Sequence, residues 1–122
     1  MITLLTDLPG GVVGFEAKGT VQASDYRETL EPAIEAAVKE HGKVRLLYVL
    51  GEGFDGYTGA AMWEDAMVGT RDWSKWERIA VVSDKDWVHV TVDTFAWMVP
   101  GRIRTFPVSR RDDAVAWLTE DA

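Results

Sequence analysis

The 122-residue sequence contains no cysteine, which excludes disulfide bonds, thiol nucleophiles, cysteine-ligated zinc and iron–sulfur clusters. Basic residues are in the minority, because 13 Lys and Arg stand against 20 Asp and Glu, for a formal net charge of −7. This sign argues against nucleic acid and anionic membranes as partners, since both need a basic face. The apolar runs are also short, as at 46–50, whereas a membrane-spanning helix needs about 20 residues.

The chain opens without a basic segment followed by a long apolar stretch, so we expect no signal peptide and a cytoplasmic protein. Hydrophobic residues make up 47% and charged residues 27% of the sequence, which is typical of one globular domain over residues 1–122. Tryptophan is unusually frequent. Indole rings fill cores, but they also line apolar pockets and homodimer interfaces. The six are Trp63, Trp73, Trp76, Trp87, Trp97 and Trp117.

The first third of the sequence predicts a hairpin and a helix. Residues 2–7 and 12–18 have strand character, and the Pro-Gly-Gly turn between them predicts antiparallel pairing. Ser24 is a predicted helix N-cap, and Gly42 predicts the end of that helix. Pro32 lies inside the helical pattern, so either the helix kinks there or its regular part begins there.

The rest of the sequence alternates between buried strands and helices. This order predicts an α/β fold with a five-stranded mixed sheet, in which an antiparallel hairpin is followed by βα units with four helices in all. Helix 2 is predicted from Thr58 to Met67. The other predicted elements are strands at 44–50, 78–82 and 102–106, a glycine-rich loop at 51–57, a third helix from Ser83 or Asp84 to Pro100–Gly101, and a last helix near Ala114–Leu118.

Two features of the second half need a choice between alternatives. Residues 88–92 alternate and are β-branched, which favours a strand locally, but Trp87, Phe95 and Met98 keep a helical period over a longer window. We therefore predict a helix. Ser109 with Asp112 resembles a capping pair for the last helix. The arginines near the end of the chain are interpreted as a solvated surface: Arg102, Arg104, Arg110 and Arg111.

The sequence offers little for catalysis, and we predict no enzyme, no metal site and no cofactor. His41 and His89 are the only histidines, and neither lies in a catalytic pattern such as Gly-x-Ser-x-Gly. The glycines at 51, 53 and 56 match a bare dinucleotide string, but Asp55 adds negative charge where a pyrophosphate would bind. Adjacent acids at 64 and 65 diverge on a helix, so they do not form a pair.

The segment from Gly51 to Thr58 is the strongest candidate site. It follows a central buried strand and leads into a helix, and in open α/β sheets ligands and partners bind at that edge. Backbone N–H groups at a helix start can hold an anion. We predict that polar contacts come from three loop residues and that two indoles supply apolar area. The predicted site consists of Phe54, the polar residues Asp55, Tyr57 and Thr58, and the indoles Trp63 and Trp87.

Several segments together resemble the SpoIIAA-like family of small bacterial proteins, which are relatives in fold of the STAS anti-sigma-factor antagonists and, more distantly, of the CRAL-TRIO lipid carriers. The resemblance covers nearly the whole chain and implies a five-stranded mixed sheet with helices. It also implies a helix at 88–92. The segments that carry it are Trp63-Glu64-Asp65, Trp76-Glu77-Arg78-Ile79-Ala80-Val81-Val82, Asp84-Lys85-x-Trp87, Phe106 and Ala114-x-x-Trp117-Leu118.

The resemblance also marks Thr58 as the residue that matches a phospho-acceptor. In STAS antagonists a phosphorylated Ser or Thr lies just before a Gly ahead of the second helix, and here Thr58 precedes Gly59. The two residues before Thr58 are Gly-Tyr and depart from the Asp-Ser of those proteins. A phosphate at this position would add about −1.5 to −2 charges and would change binding rather than the fold.

The leading interpretation is a non-enzymatic STAS-like domain that recognises a protein partner or a small apolar ligand at the loop before helix 2. A homodimer is a further expectation, since surplus Trp and Met can be buried across a two-fold axis. The alternative is a carrier of a lipid-like molecule between helices and sheet. A hydrolase that uses Asp55 or Glu52 with His89 is the third hypothesis.

Overall fold

The computed structural model describes residues 1–6, 8–57, 76–95 and 102–120. Three helices and five strands lie in this part of the chain. The strands are β1 (Ile2–Leu5), β2 (Val12–Val21), β3 (Val44–Tyr57), β4 (Trp76–Ser83) and β5 (Arg102–Phe106). The helices are α1 (Glu31–His41), α2 (Asp86–Phe95) and α3 (Arg111–Thr119).

The five strands form one mixed sheet in the order β1-β2-β3-β4-β5. β1 and β2 are antiparallel, with Ile2 opposite Ala17. All other neighbours are parallel. The predicted five-stranded mixed sheet with an opening hairpin is therefore confirmed. The hairpin turn is closed by the Val12 N–H, which donates to the Pro9 carbonyl at 3.2 Å, and Gly11 has a φ of 87° that suits glycine.

Two helices confirm predicted details. Pro32 lies in the first turn of α1, a position that proline favours, so the regular helix begins there, which is one of the two predicted alternatives. Gly42 closes α1 in the left-handed conformation with a φ of 78°, and its N–H donates to the Val38 carbonyl at 2.8 Å. Residues 88–92 lie inside α2, so the helical period outweighs the local strand pattern.

Two of the predicted helix N-caps, Ser24 and Ser109, are wrong, and the predicted cap at Thr58 lies outside the described residues. A turn of α-helix at Ala23–Asp25 and a π-helical segment at Tyr26–Leu30 precede α1, so Ser24 lies inside the helical run and does not cap it. Asp84 lies two residues before α2, and one of its carboxylate oxygens accepts a hydrogen bond from the Val108 N–H. A 3₁₀ turn at Val108–Arg110 precedes α3 and contains Ser109, and Arg110 is the capping position, without a side-chain cap.

The predicted glycine-rich loop at 51–57 is also wrong, because these residues continue β3. They pair with the far end of β2, with Gly19 opposite Phe54 and Val21 opposite Tyr57. Two register shifts around Gly19 let the ladder continue. The far end of β2 offers a strand edge for pairing, and this pairing outweighs the local preference of the glycines for a turn.

The described residues contain three helices where four were predicted. The missing one is helix 2, which was predicted at 58–67 and lies outside the described residues, as does the predicted end of the third helix near residue 100. The helices cover both faces of the sheet. Leu30, Ile34 and Val88 pack on one face. Ala114, Trp117 and Leu118 of α3 pack on the other.

Candidate functional site

The candidate site lies at the edge of the sheet where the parallel strands end. β3 pairs with β4 as far as Leu50, which is opposite Ser83. Beyond that point β3 continues to Tyr57 and pairs only with β2 among the described strands. The backbone of the predicted recognition segment is therefore an extended two-stranded ribbon that passes the last β3–β4 pair by seven residues.

The structure places the predicted site residues unevenly. Phe54, Asp55 and Tyr57 belong to the β2–β3 ribbon, and the structure describes their backbone. Thr58 and Trp63 lie outside the described residues. Trp87 lies in the first turn of α2, which leaves the sheet at the same edge, and 47% of its surface is exposed.

Helix α2 has an apolar side toward the sheet and a second apolar pair toward solvent. Val88 is buried and Val92 packs against the same core. Trp87 and Val90 are three residues apart, so they lie on one face of the helix, and they are 47% and 63% exposed. Exposed large apolar side chains near each other are typical of interaction surfaces rather than of helix packing.

His89 is already engaged in holding this edge together. Its Nε2 lies 2.5 Å from the carbonyl oxygen of Ser83, a fully buried residue at the end of β4. A carbonyl only accepts, so Nε2 carries the proton in this contact. A general base at His89 would therefore have to use Nδ1. The hydrolase hypothesis cannot use Nε2 while this contact is made.

The turn after β4 is joined to the turn after β5. The Ser83 hydroxyl accepts a hydrogen bond from the Lys85 N–H at 3.1 Å. One residue later, an Asp84 carboxylate oxygen accepts from the Val108 N–H at 2.9 Å. These contacts hold the start of α2 in a fixed position relative to the sheet, so Trp87 is presented from a rigid support.

The opposite edge of the sheet contains an arrangement that the sequence interpretation missed. Arg45 and Arg78 from β3 and β4 hold the C-terminal end of α3 by donating to backbone carbonyls of its last turn and of Glu120. The Trp117 carbonyl also accepts a hydrogen bond from the Glu120 N–H at 3.4 Å. Arg78 Nη1 lies 2.7 Å from the Trp117 oxygen and 2.7 Å from the Glu120 oxygen. Arg45 Nη1 lies 2.6 Å from the Leu118 oxygen.

The same two arginines have further neighbours. The Nε of Arg45 donates to a Glu77 carboxylate oxygen at 2.9 Å, and Nη2 donates to the same oxygen. Arg78 is only 3% exposed, and its guanidinium lies 5.7 Å from the centroid of the Trp117 ring. A strand that begins with arginine next to apolar residues could have indicated this site, because a buried guanidinium needs acceptors.

A small cleft of about 240 Å³ opens beside Arg45 at this edge. Charged and polar groups contribute much of its lining, which distinguishes it from the apolar hollow that a lipid carrier needs. The lining residues are Gly10, Gly11, Val12, His41, Lys43, Arg45, Glu77, Leu118 and Thr119.

Comparison with known proteins now identifies the family. The family model described as SpoIIAA-like matches residues 12–119. The chain belongs to the SpoIIAA-like family. This domain is similar in structure to an uncharacterized protein of the DUF3478 family from Shewanella loihica, which has a SpoIIAA-like fold. The two chains are 22% identical with a TM-score of 0.80, and the match covers 96% of this chain and 93% of the other.

No significant match is found among curated proteins. The structural likeness therefore supports the fold of this SpoIIAA-like domain and assigns no activity. Within the described ranges, none of the helices combines the length and apolar character required to cross a membrane. Nor does a group of three His, Asp or Glu side chains converge there in a way that could hold a metal ion.

Proposed function

We propose that this SpoIIAA-like domain is a non-enzymatic binding module that recognises a partner protein at the edge where β3 and β4 end. The surface would comprise the β2–β3 ribbon with Phe54, Asp55 and Tyr57, and helix α2 with Trp87. Thr58 and Trp63 follow the ribbon in sequence and complete the proposed site.

The observation that carries the proposal is the exposure of Trp87. A half-exposed indole on a rigid helix start is the type of side chain that contributes most to protein–protein binding, because it buries a large area and loses few rotamers. Val90 extends the same apolar surface by one turn. A partner that covers both side chains would remove this exposed apolar area from water.

The ribbon supports a protein partner over a small apolar ligand. Beyond Leu50, one side of β3 has no β-strand partner among the described residues. A strand edge of this kind offers backbone donors and acceptors to the backbone of an incoming extended segment. A lipid-like molecule has no peptide backbone to pair with them. The cleft beside Arg45 lies at the other edge and is lined in part by charged side chains, so it does not favour the carrier alternative.

The test compares two exposed apolar residues at different places. Trp87→Ser removes the proposed anchor, and Leu4→Ser on β1 is the matched control, since the two side chains are 47% and 45% exposed. The full chain is purified from its native cells with each substitution and analysed by native mass spectrometry. We expect a complex of defined mass with wild type and with Leu4→Ser, and at least a tenfold loss with Trp87→Ser.

Other results would overturn the proposal. A small apolar molecule bound to the wild-type chain would favour the carrier alternative. A dimer of this chain that Trp87→Ser dissociates, seen by light scattering, would replace the partner protein with a second copy. Equal complex formation by the two variants would exclude Trp87 as the anchor.

Thr58 is the proposed regulatory position of this surface. Phosphorylation would place about −1.5 to −2 charges next to the ribbon, which already contains Asp55. We expect Thr58→Asp to weaken the partner complex and Thr58→Val to leave it intact. Intact-mass measurement of the chain from native cells should show a phosphorylated fraction that Thr58→Val removes, and an unmodified wild-type chain would contradict this role.

A further inference from the structure

Three arginines lie side by side on the face of the sheet that α3 covers. Arg45 on β3 is the register partner of Arg78 on β4, and Arg78 is the register partner of Arg102 on β5. Neighbouring strands are about 4.8 Å apart, so three cationic side chains start within about 10 Å. Like charges directly opposite each other destabilise a sheet, so this row requires electron-rich acceptors.

Two members of the row have their acceptors within the fold. Arg45 donates to the Glu77 carboxylate and to carbonyls of Leu118 and Glu120. Arg78 donates to carbonyls of Trp117 and Glu120. Among the described residues, Glu77 is the only carboxylate that these three arginines have as an acceptor, although the whole chain is acidic.

The β5 end of the row is different. Arg102 is exposed, and so is Arg104, which lies two residues further along the same strand. Among the described residues, neither guanidinium forms an ion pair or a hydrogen bond. Because both side chains are exposed, their N–H donors can reach a ligand from solvent.

Arg104 is nevertheless held in place. Its guanidinium carbon lies 5.1 Å from the centroid of the Phe106 ring and 5.5 Å from that of Trp117. Both rings belong to buried residues. Cation–π contacts of this kind restrict the guanidinium but use none of its N–H groups. Part of the entropy cost of ordering the side chain on binding is therefore already met by the fold.

We propose that Arg102 and Arg104 form a binding site for a phosphate group. Residues i and i+2 of a strand point to the same face and are about 6.6 Å apart, which lets two long side chains converge on one ligand. One arginine uses both oxygens of a carboxylate in two parallel hydrogen bonds. A phosphate group has three terminal oxygens and up to two negative charges, so it can also bind a second arginine. The net charge of −7 disfavours a long polyanion and leaves a single phosphate group.

The site is tested by calorimetric titration of the full chain with inorganic phosphate at constant ionic strength. We expect saturable binding with a Kd of about 1 mM. Arg102→Gln and Arg104→Gln should each weaken it at least tenfold. The matched control is Arg110→Gln, since Arg110 is equally charged but already paired with Asp113 at 2.8 Å, and it should change the Kd less than twofold.

Arg102→Lys keeps the charge and the exposed position but loses the planar fork, so we expect an intermediate Kd with an unchanged unfolding temperature. This variant separates binding from folding. Absence of saturable binding by wild type, or equal weakening by Arg110→Gln, would overturn the proposal. Acetate that binds as tightly as phosphate would overturn the choice of ligand.

A second titration distinguishes two sources of the phosphate group. A phosphoserine peptide with neutral flanking residues is compared with inorganic phosphate. Binding of the peptide at least tenfold more tightly would identify a phosphorylated protein segment as the ligand, and equal binding would identify a small phosphate compound. Either result supports the site. The phosphate titrations and the Trp87 experiment have independent outcomes, because Arg102 and Arg104 lie on a different surface from Trp87.

Discussion

The two faces of the sheet are stabilised in different ways. The face under α1 and α2 is covered by an apolar cluster that includes the fully buried Phe15 and Val21. The face under α3 also contains apolar residues, such as Leu47 and Leu118, but Arg45 and Arg78 complete it with directed hydrogen bonds to the end of α3.

The difference lies at the C-terminal end of α3, where strand arginines donate to backbone carbonyls. α3 has nine residues, and its buried side chains are Ala114, Trp117 and Leu118. Apolar contacts are non-directional. Hydrogen bonds from two strands to successive carbonyls have defined geometry, so they fix the position of α3. The arginines thus add directed contacts to an apolar face.

Phe15→Ala should have the largest effect, because it removes a fully buried ring from the apolar face. We expect a loss of about 3–5 kcal/mol in the free energy of unfolding, from lost burial and the remaining cavity. Urea denaturation monitored by circular dichroism measures it. This loss should be insensitive to salt, and a strong salt dependence would show that the two faces do not differ as described.

Arg78→Met should cost about 2–3 kcal/mol, because the carbonyls of Trp117 and Glu120 lose a charged donor in a buried place. Hydrogen exchange should accelerate first in α3, while α1 keeps its protection. The control is Arg27→Met, since Arg27 is exposed. A well-packed methionine that leaves stability unchanged would mean that the arginine contributes nothing beyond its volume.

The pair of Arg45 and Glu77 should have the smallest effect. Their side chains are 24% and 26% exposed, so water and salt weaken the attraction. A double-mutant cycle with Arg45→Met and Glu77→Gln should give a coupling free energy of about 1 kcal/mol at low salt. We expect the coupling to decrease at 1 M salt. A coupling free energy that stays the same at 1 M salt would show that the pair is shielded from solvent, as the contacts of Arg78 are.

Periodicity was sufficient to predict most of the fold. The order of strands, the start of α1 near Pro32 and its end at Gly42 follow from local chemistry that the tertiary structure does not oppose. The helix at 88–92 was predictable because its buried face extends beyond the five residues that resemble a strand. In these cases the local pattern and the packing favour the same structure.

Long-range pairing explains what could not be predicted. The glycines at 51, 53 and 56 indicate a loop, but the extra length of β2 supplies partners that make them a strand. The acceptors of Arg78 belong to residues about forty positions later in the chain, so no window of the sequence contains both. At the candidate site, the sequence predicts Trp87 as a binding residue, whereas the contacts at Ser83 and Asp84 before α2 required coordinates.

The hydrogen bond from Val108 to Asp84 has a practical consequence for work in solution. A backbone amide that donates to a carboxylate has a distinctive NMR chemical shift, and this one connects the turn before α2 to the segment before α3. Val108 is therefore a natural spectroscopic reporter. Its resonance would register a ligand that displaces the start of α2 without any label being attached near the contact itself.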